Sequence, residues 1–289
     1  MYARPMKRWT KAEVLAASRA LDEEWLPAGI EAVRTEDYLL LCRPAHLTSP
    51  GSSRVQASIK SPRPFCEIRP EVERRARAWG AEEVLWRAEG DIGPAANESL
   101  RFAGASLALT ERVMARSLDG SDADAWLAGG NPPGVATNFV SDEETFDALV
   151  AVETTGWGWP PRPADVLAED WTNLRADLES SSKFALLATV NGTPASVARC
   201  VVHDSVVRLF GAVTLPAFHR RGLYRSLLAA RCRLGRANGA TLALTKGNLK
   251  TSAPILERIG FRSYAVEQCW RLGLDDTYSK HPGSRFPTV

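Results

Sequence analysis

The stretch TLPAFHRRGLYRSLLAARCRL, residues 214–234, sets Arg220, Arg221 and Arg225 around a single glycine, Gly222, and then continues without an acidic residue. From Leu223 the apolar positions Leu223, Leu227, Ala230 and Leu234 recur at spacings of four, three and four, which lays one face of a helix on a core. A helix start leaves backbone N–H groups without partners and carries a partial positive charge. Here no Ser, Thr, Asp or Asn immediately precedes Leu223 to cap them. A phosphate would satisfy those donors: Gly222 permits close approach to the backbone, and the arginines add charge. Two competing readings of the same residues are a solvated helix face and, with Arg231, Arg233 and Arg236 added, a basic nucleic-acid surface.

The net charge of +2 excludes a strong global attraction to nucleic acid or membrane, so local charge must carry any such argument. At 289 residues the chain exceeds the usual size of one compact core, and two domains are expected. Cys42, Cys66, Cys200, Cys232 and Cys269 are scattered singly without metal-ligand spacing, which suggests neither a disulfide framework nor a zinc site. The N-terminal MYARPMKRWTKAEV lacks an apolar signal region, and no apolar run approaches the roughly 18 residues of a membrane span. A cytoplasmic protein is expected.

Gly, Pro, Asp and Ser accumulate in SLDGSDADAWLAGGNPPGV, residues 117–135, and the domain boundary is placed there: 1–118, a linker 119–133, and 134–289. Upstream, KAEVLAASRALDEEWL reads as a helix, EDYLLLCRP as a strand, EVERRARAWG as a helix, EEVLWRA as a strand, PAANESLRFAGA as a helix and SLALTERVMARSL as a strand. Downstream, VATNFV reads as a strand, and DEETFDALVAVE and EDWTNLRADLES as helices. Residues 183–215 read as a three-stranded antiparallel meander, turned at Asn191-Gly192 and His203-Asp204-Ser205. His203 and Asp204 are turn-formers there. After the arginine segment and its helix come a strand, TLALTK, a short helix, SAPILERIG, and a closing strand, FRSYAVEQCWRLGL. The chain also repeats itself: setting Gly104 against Gly260 aligns Leu100 with Leu256, Glu111 with Glu267 and Asp119 with Asp275 in a strand-helix-strand pattern.

A strand ending in VTLP, a glycine-centred arginine turn and an amphipathic helix together resemble the acetyl-coenzyme A pyrophosphate loop of the GNAT N-acetyltransferase superfamily. That loop usually reads Arg or Gln, two variable residues, Gly, one variable residue, and Gly or Ala. Here the six positions are His219, Arg220, Arg221, Gly222, Leu223 and Tyr224, so the outer two depart from the commonest form. The resemblance covers residues 134–274, includes the terminal Gly260-Phe261, and extends more faintly to the N-terminal part. It implies an α+β fold of two GNAT-like domains, each a mixed, mostly antiparallel sheet flanked by helices, the N-terminal one reduced and without its own phosphate loop. It implies that acetyl-CoA binds at Val213, Thr214 and Leu215 through the pantetheine arm, and at Arg220, Arg221, Gly222, Leu223, Tyr224, Arg225 and Ser226 through its diphosphate.

Aminolysis of a thioester needs a neutral amine and a fate for the departing thiolate. The family often supplies a tyrosine four residues before the Gly-Phe glycine, where this chain has Leu256; Tyr264 is the nearest alternative, otherwise a packed tyrosine. The frequent Glu on the strand before the phosphate loop is absent from VVRLFGAVTL, which leaves Glu153, or ordered water, as the base. Trp157 and Trp159 beside Pro160 either shape an acceptor pocket or fold onto the core. The expected activity is transfer of an acetyl group to a small-molecule amine, held in a cleft that the N-terminal domain helps to form. A catalytically silent acyl-CoA sensor is the alternative.

Overall fold

In the computed structural model, residues 8–24, 29–49, 51–88 and 92–274 are described; Trp25, Leu26 and Asp275, which figured in the expected helix and repeat, lie outside them, as does the start of the N-terminal segment. The first half of the chain runs α1 (Lys11–Glu24), β1 (Glu31–Arg34), β2 (Tyr38–Cys42), β3 (Val55–Ile59), α2 (Phe65–Ala78), β4 (Glu83–Ala88), α3 (Gly93–Phe102) and β5 (Ser106–Ser117). The second half runs α4 (Ser121–Leu127), β6 (Val135–Phe139), α5 (Glu143–Trp157), α6 (Ala164–Glu179), β7 (Lys183–Val190), β8 (Thr193–His203), β9 (Val206–Thr214), α7 (Leu223–Ala237), β10 (Leu242–Asn248), α8 (Ser252–Arg258) and β11 (Arg262–Gly273). The expected α+β class is what forms. The strands β1 and β3 and the helix α4 had no counterpart in the sequence reading, and α2 starts six residues before EVERRARAWG, at Phe65, running through Pro70.

The elements group into two compact units that interleave along the chain. The larger comprises the described residues of Met1–Ala28, Ala45–Ser52 and Glu111–Val266, the smaller those of Gly29–Pro44, Ser53–Thr110 and Glu267–Val289. This differs from a division at 119–133. Helix α1 belongs to the larger unit because Val14 packs with Val113, Val206, Leu242 and Leu244, and the Trp9 indole donates to Thr241 Oγ1 at 3.2 Å. Residues 119–133 are not a bare linker either. They hold α4, whose Ala123 and Leu127 are buried and whose Asp124 pairs with Arg236 of α7 at 2.5 Å.

The interleaving comes from the two copies of the internal repeat. In β4-α3-β5 and in β10-α8-β11 the helix ends on a left-handed glycine, Gly104 (φ 84°) and Gly260 (φ 87°). In both, the following residue donates to the carbonyl five back, Ala105 to Leu100 and Phe261 to Leu256, each at 3.0 Å. That bond from the second residue beyond the helix is the Schellman pattern, and glycine supplies the backbone angle it needs. Yet each copy's last strand pairs outside its own copy. In the larger unit β5 runs antiparallel to β10, with Glu111 opposite Asn248 and Ser117 opposite Leu242. In the smaller unit β11 runs antiparallel to β4, with Cys269 opposite Arg87 and Gly273 opposite Glu83.

In the larger unit the meander β7-β8-β9 forms as expected, turned by Asn191 (φ 49°) and Gly192 (φ 82°), the two positive angles of a tight hairpin. One face of its sheet is covered by α7 and α8, around Leu223, Leu227, Cys232 and Leu256. The other is covered by α5 and α6, around Phe146, Leu149, Val152 and Leu174, and by α1. Helix α7 lies close against β9 because Gly235 has no side chain: a β-carbon there would stand 2.4 Å from Cβ of Val207.

In the smaller unit β1-β2-β3-β4 carry α2 and α3 on one face over Tyr38, Ala57, Ile59 and Trp86. Its parallel strands β3 and β4 stay paired to their ends, from Gln56 opposite Leu85 to Ile59 opposite Ala88.

Gly235→Ala is expected to destabilise the protein, although alanine is the better helix former by about 1 kcal/mol. The contact with Val207 outweighs that gain at roughly 1–3 kcal/mol of overpacking. Urea unfolding should show a lower midpoint for Gly235→Ala and recovery in the double variant with Val207→Ala. An unchanged or raised midpoint in the single variant would refute the close packing.

Candidate functional site

The parallel strands of the larger unit behave differently from their counterparts in the smaller one. β9 and β10 register over three pairs only, Leu242 with Val206, Ala243 with Val207 and Leu244 with Arg208. The last link is a side chain, Thr245 Oγ1 donating to Leu209 O at 2.8 Å. Beyond it Phe210–Thr214 and Lys246–Asn248 diverge. A bulge accompanies the divergence: Val197 opposes Val213 and Arg199 opposes Phe210, so β9 carries one extra residue across that step, at Gly211-Ala212, with Gly211 at φ 59°.

The bulge carbonyls are collected from below. Arg231 of α7, a fully buried side chain, donates from Nη1 to Arg199 O at 3.1 Å and Phe210 O at 3.3 Å, and from Nε to Leu227 O at 3.1 Å. Burial lowers its pKa from the usual guanidinium value, and the adjacent Cys200 and Cys232 thiols are themselves pushed up by burial to about 12. Downstream of the bulge, Val213 O accepts from Ser196 Oγ at 2.8 Å and Leu215 N donates to Ala195 O at 2.9 Å, both toward β8. Strand alternation therefore turns the backbone of Ala212 and Thr214 toward the gap. Of the three strand-end residues expected to meet a pantetheine arm, Thr214 is the one whose backbone faces it.

At the end of β9 the chain passes through a short 3₁₀ turn, Pro216–Phe218, into the arginine loop. His219 Nε2 is 3.0 Å from Thr214 O, which ties the loop back to the strand. Arg220 (φ 62°) and Gly222 (φ 82°) are both left-handed, an arrangement that gathers successive N–H groups on one side. Gly222 is the N-terminal boundary of α7 with no side-chain cap, and the first helical bond, Ser226 N to Gly222 O at 3.0 Å, leaves the N–H groups of Leu223, Tyr224 and Arg225 ahead of it. A β-carbon on Gly222 would stand 2.8 Å from Cγ of Pro132, so the position excludes larger residues by contact as well as by backbone angle. Ser226 is buried beneath this turn.

The six arginines of the segment divide in two. Arg220, Arg221 and Arg225 have no carboxylate partner among the described residues; Arg221 lies over the Phe218 ring at 5.6 Å. Arg231 is buried, Arg233 donates to Leu127 O at 3.0 Å, and Arg236 pairs with Asp124. Only the cations around the helix start are uncommitted. The corresponding place in the smaller unit, the start of α2, has its cation neutralised: Arg63 is held by Asp37 at 3.0 Å, Glu67 at 3.2 Å and Glu71 at 2.7 Å.

Glu153 lies on α5, buried, with Arg199 Nε at 2.8 Å from Oε1 and Nη2 at 3.2 Å from Oε2, and with Arg162 Nη2 on Oε2. Arg162 also reaches Asp170 at 2.8 Å. Burial pushes the Glu153 carboxyl up, yet the guanidinium groups of Arg199 and Arg162 outweigh it, so Glu153 titrates below the ordinary carboxylate value. Trp157 and Trp159 stack at 6.1 Å, Trp159 N donates to Thr154 O at 3.0 Å, and Ser49 Oγ donates to Trp157 O at 2.7 Å. Tyr264 is elsewhere: β5 and β10 stand between its strand and β9. It lines a cavity with Trp9, Ser117, Leu242 and Gly260, at the end of the sheet where β9 and β10 are paired. The structure brings Glu153 to the bulge strands and leaves Tyr264 away from them. Arg199, which the sequence reading passed over, and Arg231, which it placed only in a basic surface, are the charged groups at the bulge itself.

Neither a protein-family model nor a curated protein sequence matches the chain. Solved structures do. A GCN5-related N-acetyltransferase from Kribbella flavida is similar with a TM-score of 0.62 at 16% identity, over 90% of this chain and 94% of its own. One from Sphaerobacter thermophilus gives 0.61 at 14%, over 90% and 85%. A tandem GNAT protein from the clavulanic acid biosynthesis pathway gives 0.57 at 14%, over 91% and 92%. With its strand-helix-strand repeat, its diverging parallel strands and these matches along nearly the whole chain, the protein has the tandem GCN5-related N-acetyltransferase fold.

Proposed function

We propose that the chain is an acetyl-CoA-dependent N-acyltransferase acting on a small amine from its larger unit. The observation that carries this reading is the coincidence of two features at one end of the sheet. The gap between β9 and β10 opens there, and the uncapped start of α7 with three unpaired arginines stands there too. The pantetheine arm lies in the gap against Ala212 and Thr214. The diphosphate takes the N–H groups of Leu223, Tyr224 and Arg225 and the charge of Arg220, Arg221 and Arg225, with Ser226 buried beneath them.

In the transfer the amine nitrogen attacks the thioester carbonyl carbon, the carbon–sulfur bond breaks, and CoA leaves as thiolate. The amine proton goes to water, because Glu153 is occupied by two guanidinium groups and is a weakened base. Tyr264 has no reach to the thiolate from its strand, which leaves unassisted. A silent acyl-CoA sensor is the second reading, favoured by this same shortage of free acid and base groups. A nucleic-acid surface is weaker, since three of the six arginines are committed to partners within the chain: Arg231 in the core, Arg233 on Leu127 O and Arg236 in a surface pair with Asp124.

Gly222→Val should abolish acetyl-CoA binding in calorimetry while the far-ultraviolet circular dichroism stays that of the wild type. No binding by the wild type, or equal binding by the variant, would remove the acyl-CoA reading. Thiol release across an amine library separates enzyme from sensor, the latter binding acetyl-CoA without turnover at any amine.

A folded pKa below the unfolded value makes the Glu153 pairing stabilising above the ordinary Glu value of about 4.3, and that contribution is lost as pH falls through the folded pKa. Glu153→Gln should therefore cost roughly 3–5 kcal/mol at neutral pH, as removal of one partner from a buried pair does, and flatten the acid limb of the stability curve. The pH profile of transfer above pH 6 should keep its shape. Loss of the ascending limb of that profile, where a general base loses its proton, would instead return Glu153 to the role of general base.

A further inference from the structure

Arg199 is held in a way that leaves half of it unused. It projects from β8 toward α5, the neighbouring Ala198 and Cys200 facing the α7 core instead. Its stem lies over the bulge: the space where Gly211 lacks a β-carbon is 3.7 Å from Cβ, Cγ and Cδ of Arg199. The Nε and Nη2 edge grips Glu153 in a two-bond fork. Nη1 has no partner among the described residues, and the side chain is 28% exposed where that of Glu153 is 4% exposed. The outer edge of the guanidinium thus reaches solvent beside the bulge, oriented by a buried carboxylate beneath it.

The surrounding charges are already matched. Glu153 and Asp170 are both taken by Arg162, and Glu153 by Arg199 as well. Near the bulge no carboxylate of this cluster is left to attract a second positive charge on an acceptor, whereas a planar donor edge stands ready for an anion. The stacked indoles of Trp157 and Trp159 adjoin the same cluster, Arg162 lying over the Trp159 ring at 5.7 Å.

We infer that Arg199 anchors the acceptor, and that the acceptor is an amine carrying a carboxylate, as an α-amino acid does. The carboxylate takes the Nη1 edge while the amine reaches the thioester carbon at the Gly211 bulge. This inference rests on the acyltransferase reading for the amine's fate, but the anchor itself is testable without cofactor. Polyamines, which present further positive charge and no anion, are excluded as acceptors by the same arrangement.

Calorimetry on the full chain, with and without CoA, would use N-acetyl-L-leucine, N-acetyl-L-phenylalanine and N-acetyl-L-aspartate as product probes beside the matching carboxamides. The neutral amides of the first two should bind roughly tenfold to a hundredfold more weakly than the acids, the range of a hydrogen bond to a charged group. Arg199→Lys keeps a cation for Glu153 but loses the planar fork, and it should erase that discrimination with acetyl-CoA affinity unchanged. Should Arg199→Lys fail to fold, the Arg199→Gln, Glu153→Gln double variant replaces the buried charge pair by neutral amides and must show the same loss. In thiol-release assays amino acids should raise the KM of the Arg199 variant more than they lower its kcat, and spermidine should be inert with the wild type. Equal affinity for acid and amide, absence of binding by both, retained discrimination in the variants, or turnover of spermidine would each overturn the anchor. Failure of the wild type to bind acetyl-CoA would instead overturn the acyltransferase reading, leaving the acid-against-amide comparison to decide on Arg199.

Discussion

A guanidinium group buried beneath a strand bulge organises the larger unit. An arginine taken out of water is tolerated only when its donors are matched, and Arg231 meets carbonyls from three elements at once: Leu227 on its own helix, Arg199 on β8 and Phe210 on β9. The extra residue at Gly211-Ala212 is what displaces the strand backbone there. Cys200 and Cys232 beside it stay protonated, so the charge has oxygen dipoles and no anion to answer it. Helix α7 and the bulge therefore specify one another. Another register of β9 on β8 would displace the two strand carbonyls that Nη1 bonds, Arg199 O and Phe210 O.

That lock places the rest. β9 leaves β10 directly after Leu209, and the chain enters the arginine loop from the diverging end. Two glycines let helices press on this one strand from both faces. Gly235 of α7 admits Val207, and Gly156 of α5 admits Val213, whose Cγ2 lies 2.6 Å from where a β-carbon would stand. On the side away from α7, Glu153 and Arg199 join α5 to β8 at the same level. A strand held on both faces keeps a gap open without collapsing into it.

The smaller unit shows what the same pattern becomes without these constraints. Its β3 and β4 are paired to their ends, its helix α2 begins behind an arginine bonded to three carboxylates, and no bulge separates its parallel strands. Two copies of one strand-helix-strand device, capped identically at Gly104 and Gly260, have thus come to serve different ends. One closes a sheet, and the other completes an open one.

Much of this was legible locally. Asn191-Gly192, the α7 periodicity, the two capping glycines and the uncapped arginine turn each act within a few residues, so composition and spacing along the chain reveal them. The first six residues of α2 were obscured because Pro64 and Pro70 mask the helix start, and α4 because Ser, Asp and Gly of 117–122 read as loop until Ala123 and Leu127 find a core. The assignment of α1 to the larger unit, the exchange of β5 and β11, the burial of Arg231 and the pairing of Glu153 with Arg162 and Arg199 all depend on residues brought together from distant parts of the chain. The sequence by itself determined most of the element types, the turn chemistry and the uncapped, arginine-flanked helix start, because these are short-range consequences of backbone angle and side-chain pattern. Only the tertiary structure decided which arginines remain without a carboxylate partner among the described residues and which guanidinium groups hold Glu153, because charge is matched by partners that sequence proximity does not name.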